Sequence, residues 1–451
     1  MRLLLIIKIF ILWLSIPAFT QLLLVNNEVE YKALTNDFLQ KFKNGELEQL
    51  YRNFDETMSQ KLPLAQFKSI HSNLTLQIGH FVKTNKMDYS KKEKFHVINA
   101  NCEFEKMQLN VHLVFDSLKR ISGFFMSPAD SKPLLYKIPD YVDTSSFYEV
   151  KTKVGNGTEW ELPAILSIPK RNSKVPLIIL VHGSGPNDSN ETVGGTRVFK
   201  DIAFGLASRG IAVLRYQKRT KEYGQKIVDK INALTMNEET VDDAIAAIKT
   251  VSEFESINQN RIFILGHSQG GFMMPRIISR SEKVFGYVIM AGLTRNLEDT
   301  YIDQIKYIIS LDSNQSNDSL NRAQITQIEK QVAIIKSGDY SSDIPVSDML
   351  MGLSANYWKD LRNYNPCLDI KKYQKPILVL QGQRDYQVTT DDFNNWKMAL
   401  EGNKQNKFIL YADLNHIFVT GTGKAKPAEY LKEGHVDKKF IIDLSEWINS
   451  W

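Results

Sequence analysis

A strand that runs into Gly266-His267-Ser268-Gln269-Gly270 constrains this chain more than any other feature. The largely apolar stretch Arg261-Ile262-Phe263-Ile264-Leu265 precedes the motif, and residues 271–280 read as a helix. A serine at such a sharp strand-to-helix turn is lifted clear of the sheet, where its hydroxyl can act as a nucleophile. The turn forces the serine into an unfavourable backbone conformation, and a side chain at either glycine would meet the adjoining strand and helix. The pentapeptide is short. Its weight comes from the strand before it and from the partners that must lie downstream.

A serine hydroxyl is a poor nucleophile at neutral pH. It needs a base to take its proton, and the base needs an acid to fix its tautomer. In strand–helix folds that carry this turn, the chain order is serine, acid, histidine, with the last two leaving strand ends. Residues 376–380 read as a buried strand, and Gln381-Gly382-Gln383-Arg384-Asp385 leaves its end. Residues 408–411 read as the next strand, and Asp413-Leu414-Asn415-His416 follows. Asp385 is therefore the expected acid and His416 the expected base. Alone, Asp385 would pass for a turn cap, and His416 for a packed histidine. Their order and placement behind Ser268 argue for the triad. His435, which precedes a helix rather than following a strand, is the rival base, and Asp413 is the reserve acid.

Attack on a carbonyl creates a negative oxygen that needs fixed donors. One expected donor is the backbone N–H of Gln269, the residue after the nucleophile. The other comes from His182-Gly183-Ser184-Gly185-Pro186-Asn187-Asp188, the loop after the apolar strand at 175–181. Ser184 N–H is favoured there, with Gly183 next. An ordinary turn is the alternative reading of that loop. His182 and His267 are expected to orient or pack. The eight histidines show no metal-binding spacing, so neither a metal nor another cofactor is expected.

Strands and helices alternate from about residue 147 onward, which indicates the α/β class: a mostly parallel sheet with helices on both faces. The regularity breaks at about 296–369, a helical, polar stretch expected to insert as a lid. Residues 28–127 read as a smaller α+β unit. There Tyr31, Leu34, Phe38 and Phe42 recur at helical spacing, and Ile98, Ala100, Cys102 and Phe104 alternate on one strand face. Residues 128–145, with Pro128, Pro133 and Pro139, read as a linker, and 146–451 as the catalytic domain.

Residues 1–20 read as a signal peptide. Arg2 and Lys8 start it, residues 9–16 are apolar, and Ala18-Phe19-Thr20 is a small-residue cleavage site. With no cysteine nearby to take a lipid, the expectation is a secreted or periplasmic protein; a single membrane anchor is the alternative. The formal charge of +5 is small for 451 residues, and no basic run is dense enough for nucleic acid. Cys102 and Cys367, the only cysteines, fall in different expected domains and read as buried free thiols.

The chain resembles α/β-hydrolase carboxylesterases of the dienelactone-hydrolase-like branch, close to secreted or thermophile-type bacterial esterases. The segments that carry the likeness are the 182–188 loop, Val213-Leu214-Arg215-Tyr216, Lys218-Arg219, Gly266-His267-Ser268-Gln269-Gly270-Gly271 and Gln381-Gly382-Gln383-Arg384-Asp385. It covers about residue 145 onward. The resemblance implies hydrolysis of a small-molecule ester with a short acyl chain through an acyl-enzyme. Two departures lie near the expected pocket rim. Gln217 stands where relatives carry an acid, and Ser189 and Asn190 dilute the acidic run after Asp188.

The alternatives are peptide cleavage or acyl transfer on the same triad, or a non-catalytic binding protein that kept the fold. Peptidases of this fold usually carry a propeller, and the N-terminal unit is too small for one. That unit is left open to binding a partner or a glycan.

Overall fold

The computed structural model describes residues 18–62, 64–105, 107–129, 136–311 and 318–451. The expected signal peptide, residues 1–20, lies outside them but for its last three positions, which open the helix Ala18–Asn44. No helix among the described residues is long and apolar enough to cross a membrane. The chain divides into two compact units, Met1–Lys132 and Pro133–Trp451.

The smaller unit sets four helices against a four-stranded antiparallel meander. The helices are Ala18–Asn44, Leu47–Tyr51, Glu56–Lys61 and Leu64–Ile78; the strands are Phe81–Lys92, Phe95–Phe104, Gln108–Phe115 and Ile121–Pro128. The first helix stops where Gly45 takes φ +72°, a conformation that suits glycine. Ile98, Ala100, Cys102 and Phe104 are all buried, as are Leu109, Val111, Leu113 and Phe115. Period-two alternation puts these side chains on one sheet face, under Tyr31, Phe38, Leu39 and Phe42 of the first helix. Burying one such side chain contributes about 1.5–3 kcal/mol.

The larger unit is built on an eight-stranded sheet: Phe147–Val154, Leu162–Pro169, Val175–Val181, Ala212–Tyr216, Ile257–His267, Gly286–Met290, Ile377–Gly382 and Lys407–Tyr411. Numbered first to eighth in chain order, they lie side by side as eighth, seventh, sixth, fifth, third, fourth, second, first. The first strand pairs antiparallel with the second, and the second antiparallel with the fourth; the remaining pairs are parallel. All seven residues of Val175–Val181 are buried, as a strand covered on both faces requires. Leu177, Ile179 and Val181 face one core layer, with Ala244, Ala247 and Trp396. Ile178 and Leu180 face the other, with Phe199, Ile202, Phe440 and Leu444.

Three local features differ from the sequence-based expectation. The helix expected over 271–280 is broken into Gln269–Phe272 and Met274–Ile278, because Pro275 has no N–H to continue the ladder. The sequence from 238 to 252 reads as one helix, but it opens with a wider π turn, Asn237–Val241, before Asp242–Val251. The stretch expected as linker ends inside the larger unit, where the Tyr136 hydroxyl donates to Asp201 and the buried Tyr141 hydroxyl donates to the Val436 carbonyl. Between the sixth and seventh strands lie the helices Leu297–Ser310, Asp318–Ser337, Ala355–Leu361 and Pro366–Ile370.

Candidate active site

The fifth strand ends at His267, and Ser268 follows with φ 51° and ψ −109°. A positive φ at a residue with a Cβ is strained and survives only where its surroundings enforce it. Ser268 N–H donates to the Met290 carbonyl at 2.9 Å, which ties the turn to the sixth strand. A Cβ on Gly266 would lie 2.3 Å from the Gly270 carbonyl carbon, and one on Gly270 would lie 2.5 Å from the Val181 oxygen. Glycine is therefore required at both positions for strand and helix to close this tightly.

Asp385 leaves the seventh strand and is 5% exposed. Its Oδ1 accepts the N–H groups of Gln387 at 2.8 Å and Val388 at 3.0 Å. Its Oδ2 accepts Gln381 Nε2 at 3.1 Å and pairs with His416 Nδ1 at 2.6 Å. His416, 6% exposed, leaves the eighth strand in a turn that the Asn415 side chain braces by accepting the N–H groups of Ile417 and Val419. With Nδ1–H given to the carboxylate, Nε2 is the basic nitrogen. The His267 ring stands 4.8 Å from the His416 ring, and His267 Nε2 donates to the His416 carbonyl at 3.1 Å. The serine's immediate neighbour thus holds the histidine. The Ser268 hydroxyl makes no hydrogen bond to the His416 ring in this structure, a looseness common in unliganded sites.

The loop after the third strand lies against the turn: a Cβ on Gly183 would sit 3.2 Å from the Ser268 Cβ. Gly183 N–H is already committed to Glu191 Oε1 at 2.7 Å, which removes it as an oxyanion donor. Among the described residues, no loop or side-chain acceptor takes the N–H of Ser184 or Gln269. The two rivals stand apart. His435 Nδ1 faces Asp201 at 3.2 Å, and Asp413 is exposed. His182 is buried, which pushes its pKa down to about 4. Cys102 and Cys367 are both free thiols, the first buried and the second half-buried; burial pushes each up to about 11, so neither is a ready thiolate.

A cavity of about 530 Å³ opens beside the turn. Ser184, Ser268 and Gln269 line it together. Ile231, Leu234, Phe272 and Leu293 give it apolar walls, and Leu297, Met351 and Tyr357 reach it from the stretch between the sixth and seventh strands. This is the size and character of a small-molecule site. Among the described residues, no group of three or more His, Cys, Asp or Glu side chains could hold a metal ion.

Sequence reasoning missed the buried charged groups around this cavity, among them Glu239, which lines it. Glu191 Oε2 pairs with His267 Nδ1 at 2.9 Å, both groups buried. Lys218 Nζ pairs with Glu239 Oε1 at 2.7 Å, also buried. Lys218 was visible in the Lys218-Arg219 segment, but nothing local distinguishes Glu191 from any loop acid.

Two family models match the chain. One, described as a protein of unknown function (DUF3887), covers residues 35–124, and the prolyl oligopeptidase family covers residues 198–334. Esterase EstD of Thermotoga maritima is 33% identical over 413 residues, which cover 91% of this chain and 93% of EstD. The acylamino-acid-releasing enzyme of Rattus norvegicus is 24% identical over 254 residues, 55% of this chain but 30% of that enzyme. Among solved structures, Est1E from Butyrivibrio proteoclasticus matches with a TM-score of 0.43 at 17% identity, covering 67% of this chain and 99% of that one.

Proposed function

Because this chain belongs to the α/β-hydrolase esterases, the family of EstD, and hydrolyses ester bonds, we propose that it does so by a Ser-His-Asp triad through an acyl-enzyme. Ser268 Oγ attacks the ester carbonyl carbon while His416 Nε2 takes its proton. The N–H groups of Gln269 and Ser184 receive the negative oxygen of the tetrahedral intermediate. On collapse the ester C–O bond breaks, and His416 gives its proton to the departing alcohol. Water then attacks the acyl-enzyme, again losing a proton to His416, and the acid leaves as Ser268 is restored. Asp385 holds the imidazole in register and stabilises its charged form. The observation that carries this reading is the 2.6 Å bond between His416 Nδ1 and Asp385 Oδ2, one neighbour away from a serine at positive φ.

Short acyl chains fill only part of the cavity, and its apolar walls suit an apolar alcohol portion in the rest. The leader-like residues 1–20, with Arg2, Lys8 and the apolar 9–16, support export to the periplasm or beyond. Ser268→Ala tests the core of the proposal. It is expected to lower kcat on 4-nitrophenyl butyrate at least about 10⁴-fold with unfolding unchanged, and a fluorophosphonate is expected to label Ser268 alone. Retained turnover in the variant would refute the triad.

Peptide cleavage is the second reading, favoured by the match to the prolyl oligopeptidase family. The same triad would serve, and comparing kcat/KM on an acyl-amino-acid anilide and the matching ester decides between them.

A further inference from the structure

The loop carrying Ser184 is gripped by buried side chains. Lys218 Nζ donates to the Gly183 carbonyl oxygen at 2.7 Å and to Glu239 Oε1 at 2.7 Å. Asn187 Nδ2 donates to the same carbonyl at 3.2 Å. The Lys218 and Glu239 side chains are only 3% and 7% exposed. Removing both charges from water is costly, and their mutual attraction offsets that cost only in a tight geometry. Burial resists ionisation of Glu239, but the Lys218 ammonium, with hydrogen bonds from Tyr357 and Gln269, holds the carboxyl below its usual range. The Tyr357 hydroxyl completes the set, donating to Glu239 Oε2 at 2.7 Å.

The Gly183 carbonyl and the Ser184 N–H belong to one planar trans peptide and point in opposite directions. Holding the oxygen on the buried Lys218 ammonium therefore fixes the direction of the opposing N–H, that of Ser184, which lines the cavity with Ser268 and Gln269. A cation bonded to the carbonyl also withdraws charge from the peptide and strengthens its N–H as a donor. We propose that Lys218 is a positioning residue of the oxyanion hole: its ammonium, anchored by Glu239, aims and polarises the Ser184 N–H that receives the developing negative oxygen. The inference rests on the triad reading above and adds to it a residue that never touches the substrate.

The effect belongs to the transition state, so it separates kcat from KM. Lys218→Met is expected to lower kcat on 4-nitrophenyl butyrate about tenfold to a hundredfold while KM moves less than about threefold. Inhibition by a trifluoromethyl ketone, which binds the serine as a tetrahedral oxyanion, should weaken by the same factor. Inhibition by the parent methyl ketone should not. Lys218→Arg, which keeps a cation, should recover part of the loss, and Asn187→Ala should show a smaller loss of the same kind. Unchanged trifluoromethyl ketone inhibition in Lys218→Met overturns the proposal. If that variant does not fold, unchanged inhibition in Asn187→Ala and Glu239→Gln overturns it equally. Turnover surviving Ser268→Ala would instead overturn the triad reading, which keeps the two failures apart.

Discussion

His267 makes two hydrogen bonds that only an imidazolium can donate together. Its acceptors, Glu191 Oε2 and the His416 carbonyl oxygen, bring no proton of their own. Burial alone would lower the pKa of His267, but the Glu191 carboxylate, with the His416 carbonyl and Asp385, outweighs it and the value rises above 6.5. Glu191 mirrors this: burial opposes its ionisation, and His267 holds it below 4.5. A raised imidazole contributes stability that is complete below pH 6.5 and lost as pH climbs through its folded value. A depressed carboxyl contributes stability that is complete above pH 4.5 and lost as pH falls through its folded value. The pair therefore contributes most between these limits. Glu191→Gln is expected to destabilise the larger unit by about 3–5 kcal/mol near pH 6, and the gap to wild type should narrow at a pH above the folded value of His267, where the imidazole is neutral. Urea unfolding at the two pH values measures it; an equal gap at both would refute the ion pair.

Among the elements, the helix Ala355–Leu361 reaches the site through Tyr357. Tyr357 extends its hydroxyl to Glu239 Oε2 and to Met236 Sδ at 3.1 Å. Tyr357→Phe keeps the ring and leaves a buried carboxylate oxygen short of a donor, a loss of about 1–3 kcal/mol. Thermal unfolding of the variant should show it, and an unchanged midpoint would mean that the oxygen finds another partner. The elements themselves were largely legible. Alternation at 98–104 and the unbroken apolar run at 175–181 each follow from one physical demand, a strand covered on one face or on both. The candidates Ser268, Asp385 and His416 could be picked out because each stands at a strand end in a fixed chain order. Lys218, Glu191 and Glu239 were not. Lys218 follows the fourth strand and Gly183 the third, and only the lateral pairing of those strands puts the ammonium beside the carbonyl. The break at Pro275 could have been read from the proline itself.

For the molecule as a whole, each residue of the proposed triad and oxyanion hole, and each cavity residue named above, lies within Pro133–Trp451. A protein reduced to residues 133–451 keeps Tyr136 and Tyr141, which bond within the larger unit. It is expected to retain kcat on 4-nitrophenyl butyrate within about threefold, as an independently folding domain should. A collapse of turnover in a folded, truncated protein would assign the smaller unit a part in catalysis.

The sheet does not hold the proposed catalytic groups equally well. The strand before Ser268 has partners on both sides, whereas Lys407–Tyr411, from which His416 hangs, closes one border and keeps Lys407 and Leu410 exposed. Local opening starts where neighbours are fewest. On gentle warming, hydrolysis should fade before circular dichroism changes and return on cooling. The protein would fall silent at its margin while its centre stayed whole.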